Sequence, residues 1–139
     1  FVDGQADSAA YWIASAARAI YASQAASVGS IGVYTSILDQ SASYAAQGLK
    51  REIIKGGAFK GMGAPGTSLT DEQRKHLQDR ATQFHDMFKA AVRERRGSIR
   101  DEDMEGQSFL AAEGVRLGLV DSIATLGDAI RDARILAGK

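Results

Sequence analysis

The serine near the start of the chain is the first residue whose type and setting could do chemistry. Ser8 lies in the stretch GQADSAAYWIASAA, residues 4–17, directly before a segment rich in alanine that is typical of a helix. In one interpretation Ser8 is a helix N-cap, a common role for serine. In the other it is a nucleophile at a strand-to-helix turn, where free N–H groups and the helix dipole favour an oxyanion. The two roles are compatible, and a nucleophile needs a base.

Histidine is the first type of base to consider. His76 and His85 are the only two histidines, and they lie nine residues apart on one long predicted helix, which is unsuited to a shared metal site. Both flank the charged face of that helix. We therefore expect them to be solvated surface side chains.

Lysine is the alternative base. An amine accepts a proton only when it is neutral, so its ordinary pKa of about 10.4 must fall by roughly three units for work near neutral pH. That change requires an apolar pocket or a nearby dipole, together with a well-defined loop. Lys60 lies in such a loop, between glycines. Lys55 ends a predicted strand, Lys50 follows a predicted helix, and each of the three lysines by itself is expected to be a solvated surface residue.

The composition is that of an ordinary globular chain. Its 139 residues fit one domain, and 17 basic residues balance 17 acidic ones, which argues against a nucleic-acid partner. The absence of cysteine excludes a disulfide framework and a cysteine-based zinc site. No segment is long and apolar enough to span a membrane. Because the chain starts at Phe1 immediately before the Ser8 segment, we expect an upstream part of the protein to be missing.

Hydrophobic periodicity and breaker residues predict the elements that must position these side chains. The first half is expected to hold a helix over residues 8–17, a strand over 19–23, a strand-like start in 30–38 that turns to helix near Asp39, and a compact strand over 51–55. Gly48 is the expected end of that helix. Strand, helix and strand at this spacing indicate a βαβ unit and a parallel sheet.

The second half is predicted to be rich in helix. A glycine-rich loop over residues 56–66 precedes a capping box of Thr70 and Gln73, and the helix that follows runs to about Arg96 before Gly97 ends it. Further helices are expected over 108–117 and 125–136, with a short strand or turn at 119–123. One apolar stripe is predicted on the long helix: Leu77, Ala81, Phe84, Phe88, Ala91 and Val92.

Charge is unevenly distributed along the chain. Residues 1–49 carry only four charged side chains. We therefore expect this first third to be buried, either in a core or against another subunit.

Four segments, in order and covering nearly the whole chain, resemble the signal peptide peptidase A family of serine–lysine peptidases, which includes phage capsid-maturation proteases. The first is the Ser8 segment, whose small residues, aromatic pair and Ile-Ala are similar to the family's nucleophile segment. The others are VGSIGV at 28–33, the lysine loop and following helix in GGAFKGMGAPGTSLTDEQRKHLQ at 56–78, and LGLVDSI at 117–123. One such motif is weak support, whereas four in register are specific.

The resemblance implies a set of site residues. Ser8 matches the nucleophile, Lys60 the general base, and Ser30 a serine that hydrogen-bonds and orients the lysine. The N–H of Ala9 matches one oxyanion donor, and the family's other donor comes from a glycine-rich turn that would lie upstream of Phe1. Lys55 has no counterpart in the motif.

Asp7 departs from the family pattern, which usually has alanine or glycine there. A carboxylate that points inward would disfavour the oxyanion, and it would also favour the protonated form of Lys60. A carboxylate used elsewhere would be harmless.

The implied fold is α/β, of the ClpP/crotonase-like type, with residues 1–139 forming one peptidase domain that lacks its N-terminal part. The implied activity is that of a serine endopeptidase acting through an acyl-enzyme, with rates that rise toward alkaline pH and with no cofactor or metal. Expected substrates are signal peptides or phage scaffold and capsid proteins, and Ala9-Ala10 after the serine favours the phage-like branch.

The resemblance also implies a homo-oligomer with active sites near protomer interfaces. A cytoplasmic location is expected, and a membrane anchor would lie outside this chain. Two alternatives remain: a non-catalytic assembly or scaffold domain on the same fold, and a crotonase-type acyl-CoA enzyme, which would not require the Ser8, Lys60 and Ser30 set.

Overall fold

Helices and short strands alternate along the chain in a computed structural model that describes residues 1–97 and 99–138. The strands are β1 (Gln5–Asp7), β2 (Tyr21–Ala22), β3 (Ser27–Gly29), β4 (Ser108–Leu110) and β5 (Ser122–Ile123). The helices are α1 (Ala9–Ser15), α2 (Ser41–Ala46), α3 (Asp71–Arg96), α4 (Ala111–Leu117) and α5 (Leu126–Ala137), and a short 3-10 turn spans Asp101–Asp103. The predicted mixed α/β class is confirmed.

The chain forms two compact units. One contains Phe1–Val33 and Phe84–Lys139, and the other contains Tyr34–Gln83. The long helix α3 belongs to the second unit up to Gln83 and to the first unit from Phe84 onward.

Two small sheets organise the first unit. One has the order β1-β3-β4, with β1 and β3 parallel and β4 antiparallel to β3. The other pairs β2 with β5 in parallel. The register places Asp7 of β1 opposite Gly29 of β3, so both strands end at the same level.

Parallel pairing was predicted, but the structure builds it from other segments. Residues 51–55 and 30–38 contain no strand, so the predicted βαβ unit there is wrong. The physical reason is that burial does not stabilise a strand there, because the Ile54 side chain is fully exposed and packs on no sheet. The predicted helix over 108–117 divides into β4 and α4, because residues 108–110 pair with β3.

The hydrophobic core lies in the first unit. Tyr11 from α1, Phe88 from α3 and Leu119 are fully enclosed, and the Trp12 ring stacks on Phe88 with centroids 4.6 Å apart. Gly114 lets α4 approach β3 closely, because a Cβ there would lie 2.8 Å from Val28 Cγ2. The other core members are Val2, Ala6, Ile20, Ala22, Ala26, Val28, Ile31, Val92, Ile99, Met104, Ala111 and Val120.

The predicted burial of the first third is confirmed only in part. Residues in β1, α1 and β3 contribute to the core, whereas Tyr34 and Leu38 in the second unit are 88% and 74% exposed. A core is therefore wrong for residues 34–49, and burial against another subunit stays a prediction. Within the described residues, no helix combines the length and apolar character needed to cross a membrane.

Candidate active site

Ser8 occupies a sharp turn between β1 and α1. Its backbone has φ 56° and ψ −126°, its N–H donates to the Gly29 carbonyl at 2.8 Å, and its own carbonyl accepts from the Trp12 N–H at 3.0 Å. The side chain is exposed and makes no capping hydrogen bond. Ser8 thus holds the N-cap position without the bond that would make it a cap.

The backbone conformation of Ser8 is one that glycine normally adopts. A φ near +60° with ψ near −120° is the first central position of a type II′ turn, where Cβ is unfavourable. A non-glycine residue in such a region costs of order 1–3 kcal/mol, and such strain clusters at functional sites. Among the described residues, the non-glycine positions with positive φ are Ser8 and Ser30, the two serines singled out by sequence.

Relief of this strain is open to a stability test. Ser8→Gly is expected to have a free energy of unfolding about 1 kcal/mol higher than Ser8→Ala, because glycine removes the strain but loses more chain entropy on folding. Urea unfolding of both variants, followed by fluorescence of Trp12, the only tryptophan, measures the difference. An alanine variant as stable as the glycine variant would contradict a strained turn.

Ser30 follows β3 just as Ser8 follows β1. Because Asp7 and Gly29 face each other in register, the residues after them leave neighbouring parallel strands at one level. Ser30 is half-buried, has φ 49°, and donates its N–H to the Gln107 carbonyl at 2.7 Å. The carboxyl ends of adjacent parallel strands thus carry both serines, which is where α/β folds usually place their sites.

Ala9 supplies the N–H that follows the serine. Ala9 is exposed and is the first residue of α1, so its N–H has no partner inside the helix. No backbone acceptor for it occurs in the part of the chain that the structure describes. This N–H is available to a ligand oxygen.

Asp7 is engaged on the sheet. Its Oδ2 accepts hydrogen bonds from Gln5 Nε2 at 2.7 Å and Ser27 Oγ at 2.8 Å, so the carboxylate links β1 to β3 one residue before Ser8. Its Oδ1 is enclosed and has no partner among the described residues. The sequence left this aspartate without a role, and the structure gives it a structural one.

Lys60 lies in the second unit, in a loop built from consecutive tight turns. The N–H of Lys60 donates to the Gly57 carbonyl at 3.2 Å, and the N–H of Met62 donates to the Phe59 carbonyl at 3.4 Å. The lysine itself is exposed, as predicted from its sequence context alone. The preceding Phe59 ring packs on His76 with centroids 4.8 Å apart.

Glycines are required at two positions of this loop. A Cβ at Gly66 would lie 2.5 Å from Tyr44 Cδ1, and a Cβ at Gly61 would lie 3.0 Å from Ile53 Cγ2, while both residues have positive φ. The glycine-rich motif around the lysine therefore reflects conformation and close packing.

The prediction of two solvated histidines is wrong. His85 is half-buried, and its Nε2 lies 3.1 Å from the Ile31 carbonyl and 2.6 Å from the Met104 carbonyl. His76 is half-buried against Phe59. Sequence reasoning missed His85 because backbone carbonyls accept its bond, and no side-chain pattern announces such partners.

An ion pair between a buried arginine and an exposed aspartate explains the Gly-Leu-Val-Asp segment. Arg96 at the end of α3 is almost fully enclosed, with Nη1 at 3.0 Å from Asp121 Oδ2 and Nε at 3.2 Å from the Gly118 carbonyl. Asp121 also accepts the Ile20 N–H at 2.6 Å. Burial opposes ionisation of Asp121, but the bonds from Arg96 and Ile20, with the Arg96 charge, outweigh it and hold the pKa of this carboxyl below its ordinary value.

The structure brings Ser8, Ala9 and Ser30 together in the first unit, and it places Lys60 in the second. Within the described residues, there is no group of three or more histidine, aspartate or glutamate side chains arranged to hold a metal ion. The chemistry that these residues can support is that of an exposed hydroxyl beside an unpaired backbone N–H.

Comparison with known proteins identifies the class. The chain belongs to peptidase family S49, whose sequence profile matches residues 1–139. The resemblance to the signal peptide peptidase A family, phage proteases included, is thereby confirmed.

Three relatives show the range of this similarity. A protein of Methanocaldococcus jannaschii provisionally named a protease is 29% identical over 99% of this chain. A protein of Enterococcus faecium provisionally named signal peptide peptidase SppA is 30% identical over 90% of it. Capsid assembly protease C of Escherichia phage lambda is 34% identical over 91% of it. The matched region covers 45%, 37% and 30% of those relatives, so the chain spans less than half of their length.

Proposed function

We propose that this chain carries the nucleophile and general base of a serine endopeptidase, with Ser8 as nucleophile, Lys60 as base and Ser30 as the residue that orients the lysine. Membership of a peptidase family supports the activity class. The proposal includes a ClpP/crotonase-like fold and a single peptidase domain over residues 1–139. Polypeptide substrates and a homo-oligomeric, cytoplasmic assembly complete it.

The strained backbone at Ser8 is the observation that carries the proposal. Ser8 has φ 56°, a backbone conformation that favours glycine because it disfavours a side chain. The Ser8 side chain is exposed and makes no capping hydrogen bond. A structural cap would gain its energy from the missing hydrogen bond. A nucleophile on a tight strand-to-helix turn has a reason to tolerate the strain, because the turn presents its hydroxyl to a substrate.

The mechanism follows from these roles. Neutral Lys60 Nζ accepts the proton of Ser8 Oγ as the oxygen attacks the substrate carbonyl, and the N–H of Ala9 donates to the oxyanion that forms. The C–N bond then breaks, and the lysine ammonium gives its proton to the leaving amine. Water, deprotonated by the same lysine, hydrolyses the ester on Ser8 and restores the free hydroxyl.

Substrates belong to one of two classes within this proposal. The relative from phage lambda is named a capsid assembly protease, and the one from Enterococcus faecium is named a signal peptide peptidase. We favour phage scaffold or capsid proteins, because Ala9 and Ala10 follow the serine here and the identity to the lambda protein, 34%, exceeds the 30% of the other.

A serine-directed covalent probe tests the nucleophile directly. Full-length protein treated with a fluorophosphonate is expected to gain one adduct, located by mass spectrometry on the peptide that holds Ser8. Ser8→Ala should gain none, and Ser15→Ala, which removes a buried serine bonded to the Trp12 carbonyl, should still be labelled. Labelling that persists in Ser8→Ala, or falls on another serine, would overturn the assignment.

A further inference from the structure

The half-buried His85 on α3 contacts the segment that carries Ser30. Its Nε2 lies within hydrogen-bond distance of two carbonyl oxygens, 3.1 Å from that of Ile31 and 2.6 Å from that of Met104. Both partners are acceptors, so Nε2 must carry the hydrogen and donate to them. The His85 imidazole thus connects Ile31, the residue after Ser30, to Met104, the residue before the 105–107 turn.

The segment around Ser30 is fixed residue by residue. The Gly29 carbonyl accepts the Ser8 N–H at 2.8 Å, the Ser30 N–H donates to Gln107 at 2.7 Å, and the Ile31 carbonyl faces His85. Gly32 lies so close to Gly106 that an added Cβ would be 3.0 Å from the Gly106 Cα. His85 joins this segment and the 104–107 segment to a third element, α3.

We propose that His85 is a positioning residue for the peptidase reaction: by holding the Ile31 and Met104 carbonyls, it fixes the left-handed turn at Ser30 level with Ser8. This inference rests on the proposed function, since Ser30 is the residue through which His85 acts. Without the imidazole, Ile31 and Met104, both buried, each keep an enclosed carbonyl without this donor. The turn would then relax, and the Ser30 hydroxyl would leave the place where it orients the lysine.

Kinetics of full-length variants test the proposal. His85→Ala is expected to lower kcat on a peptide substrate by about 10-fold to 100-fold with KM changed less than about twofold, because a misplaced group weakens the transition state more than binding. His85→Gln keeps an N–H donor and should recover most of the lost kcat. In a Ser30→Ala background, His85→Ala should cause no further loss.

Lys89→Met is the matched control. Lys89, one helical turn after His85, pairs with Glu105 and Asp101 and so anchors the same turn to α3, and among the described residues its ion pairs do not include the Ser30 segment. The kcat of the Lys89→Met variant is expected to stay within about twofold of wild type. An equal loss of kcat in Lys89→Met, or additive losses in the Ser30→Ala background, would overturn a specific role for His85.

A second readout separates this inference from the proposed function. Amide exchange at Ser30, whose N–H is bonded to Gln107, is expected to be at least about tenfold faster in His85→Ala and unchanged in Lys89→Met. Unchanged exchange at Ser30 in His85→Ala would refute the positioning role even in an active enzyme. Hydrolysis that persists in Ser8→Ala would refute the proposed function, while the exchange data would still decide whether His85 holds the turn.

Discussion

Replacing Lys60 with alanine in the full-length protein is expected to lower kcat on a peptide substrate by about 10³-fold, the usual effect of losing a general base. Ser8 Oγ would then attack without an acceptor for its proton. Lys60 is exposed, so its removal should change the free energy of unfolding by less than about 0.5 kcal/mol. Initial rates of hydrolysis, measured beside urea unfolding of the same preparations, give both quantities.

Two further variants make this result specific to a proton acceptor. Lys60→Arg keeps the positive charge but cannot give up a proton near neutral pH, so it should be as inactive as Lys60→Ala. Lys50→Ala removes an exposed lysine of the same unit that pairs with Glu52 at the surface, and it should keep wild-type rates. An active Lys60→Arg would show that the lysine contributes charge and is not the base.

The start of α3 and the ends of α3 and α4 were predictable because they depend on local chemistry. Thr70 and Gln73 form the expected capping box, with bonds of 3.1 and 3.2 Å between side chain and backbone. Gly97 and Gly118 adopt the positive φ that ends α3 and α4. Such signals lie within four residues of the feature they specify, so the sequence contains them in full.

The strands were less predictable because their partners are distant in the chain. β3 spans only Ser27–Gly29, too short for a periodic signal, and it exists because β1 and β4 flank it. The apolar residues at 51–55 have the composition of a strand but no neighbouring strand, and they remain exposed coil. Strand formation depends on context of this kind more than on composition.

The candidate site, like the fold, could be predicted from the sequence only in part. The family resemblance identified Ser8 and Ser30 as site residues. The positive φ that distinguishes both serines could not be predicted from the residue types. The roles of Asp7 and His85 could not be predicted from the sequence because their partners are distant in the chain. Asp7 accepts a bond from a side chain on β3, and His85 bonds backbone carbonyls. The Gly-Leu-Val-Asp motif was visible, but its purpose depends on Arg96, which is 25 positions earlier.

Replacing Asp121 with alanine tests whether the Gly-Leu-Val-Asp motif serves to pair with Arg96. This change is expected to lower the free energy of unfolding by about 3 kcal/mol. Arg96 would keep a buried positive charge without its counter-ion, since its side chain is 6% exposed, and the Ile20 N–H would lose its acceptor. Unfolding by urea, followed through Trp12 in the same unit, measures the loss.

The two members of the pair are not equivalent. Arg96→Met should cost less, about 1–2 kcal/mol, because the Asp121 side chain is 41% exposed and can be hydrated when left alone. Glu113→Ala, which removes the exposed partner of Arg116, should cost less than about 0.5 kcal/mol. Equal losses for Asp121→Ala and Glu113→Ala would mean that the pair of Asp121 with the buried Arg96 adds nothing beyond a surface contact.

Acid should weaken the same interaction in wild type. The pKa of Asp121 is lowered in the folded chain, chiefly because its hydrogen bonds with Arg96 and Ile20 overcome the opposing effect of burial. Its stabilising contribution is therefore complete above the ordinary pKa of 3.8 and is lost as pH falls through the lower folded-state value. Asp121→Asn has no proton to bind there, so the difference in unfolding free energy between wild type and this variant should shrink below about pH 4. A difference that is constant from pH 7 to pH 3 would show that the Asp121 charge does not stabilise the turn that joins α4 to β5.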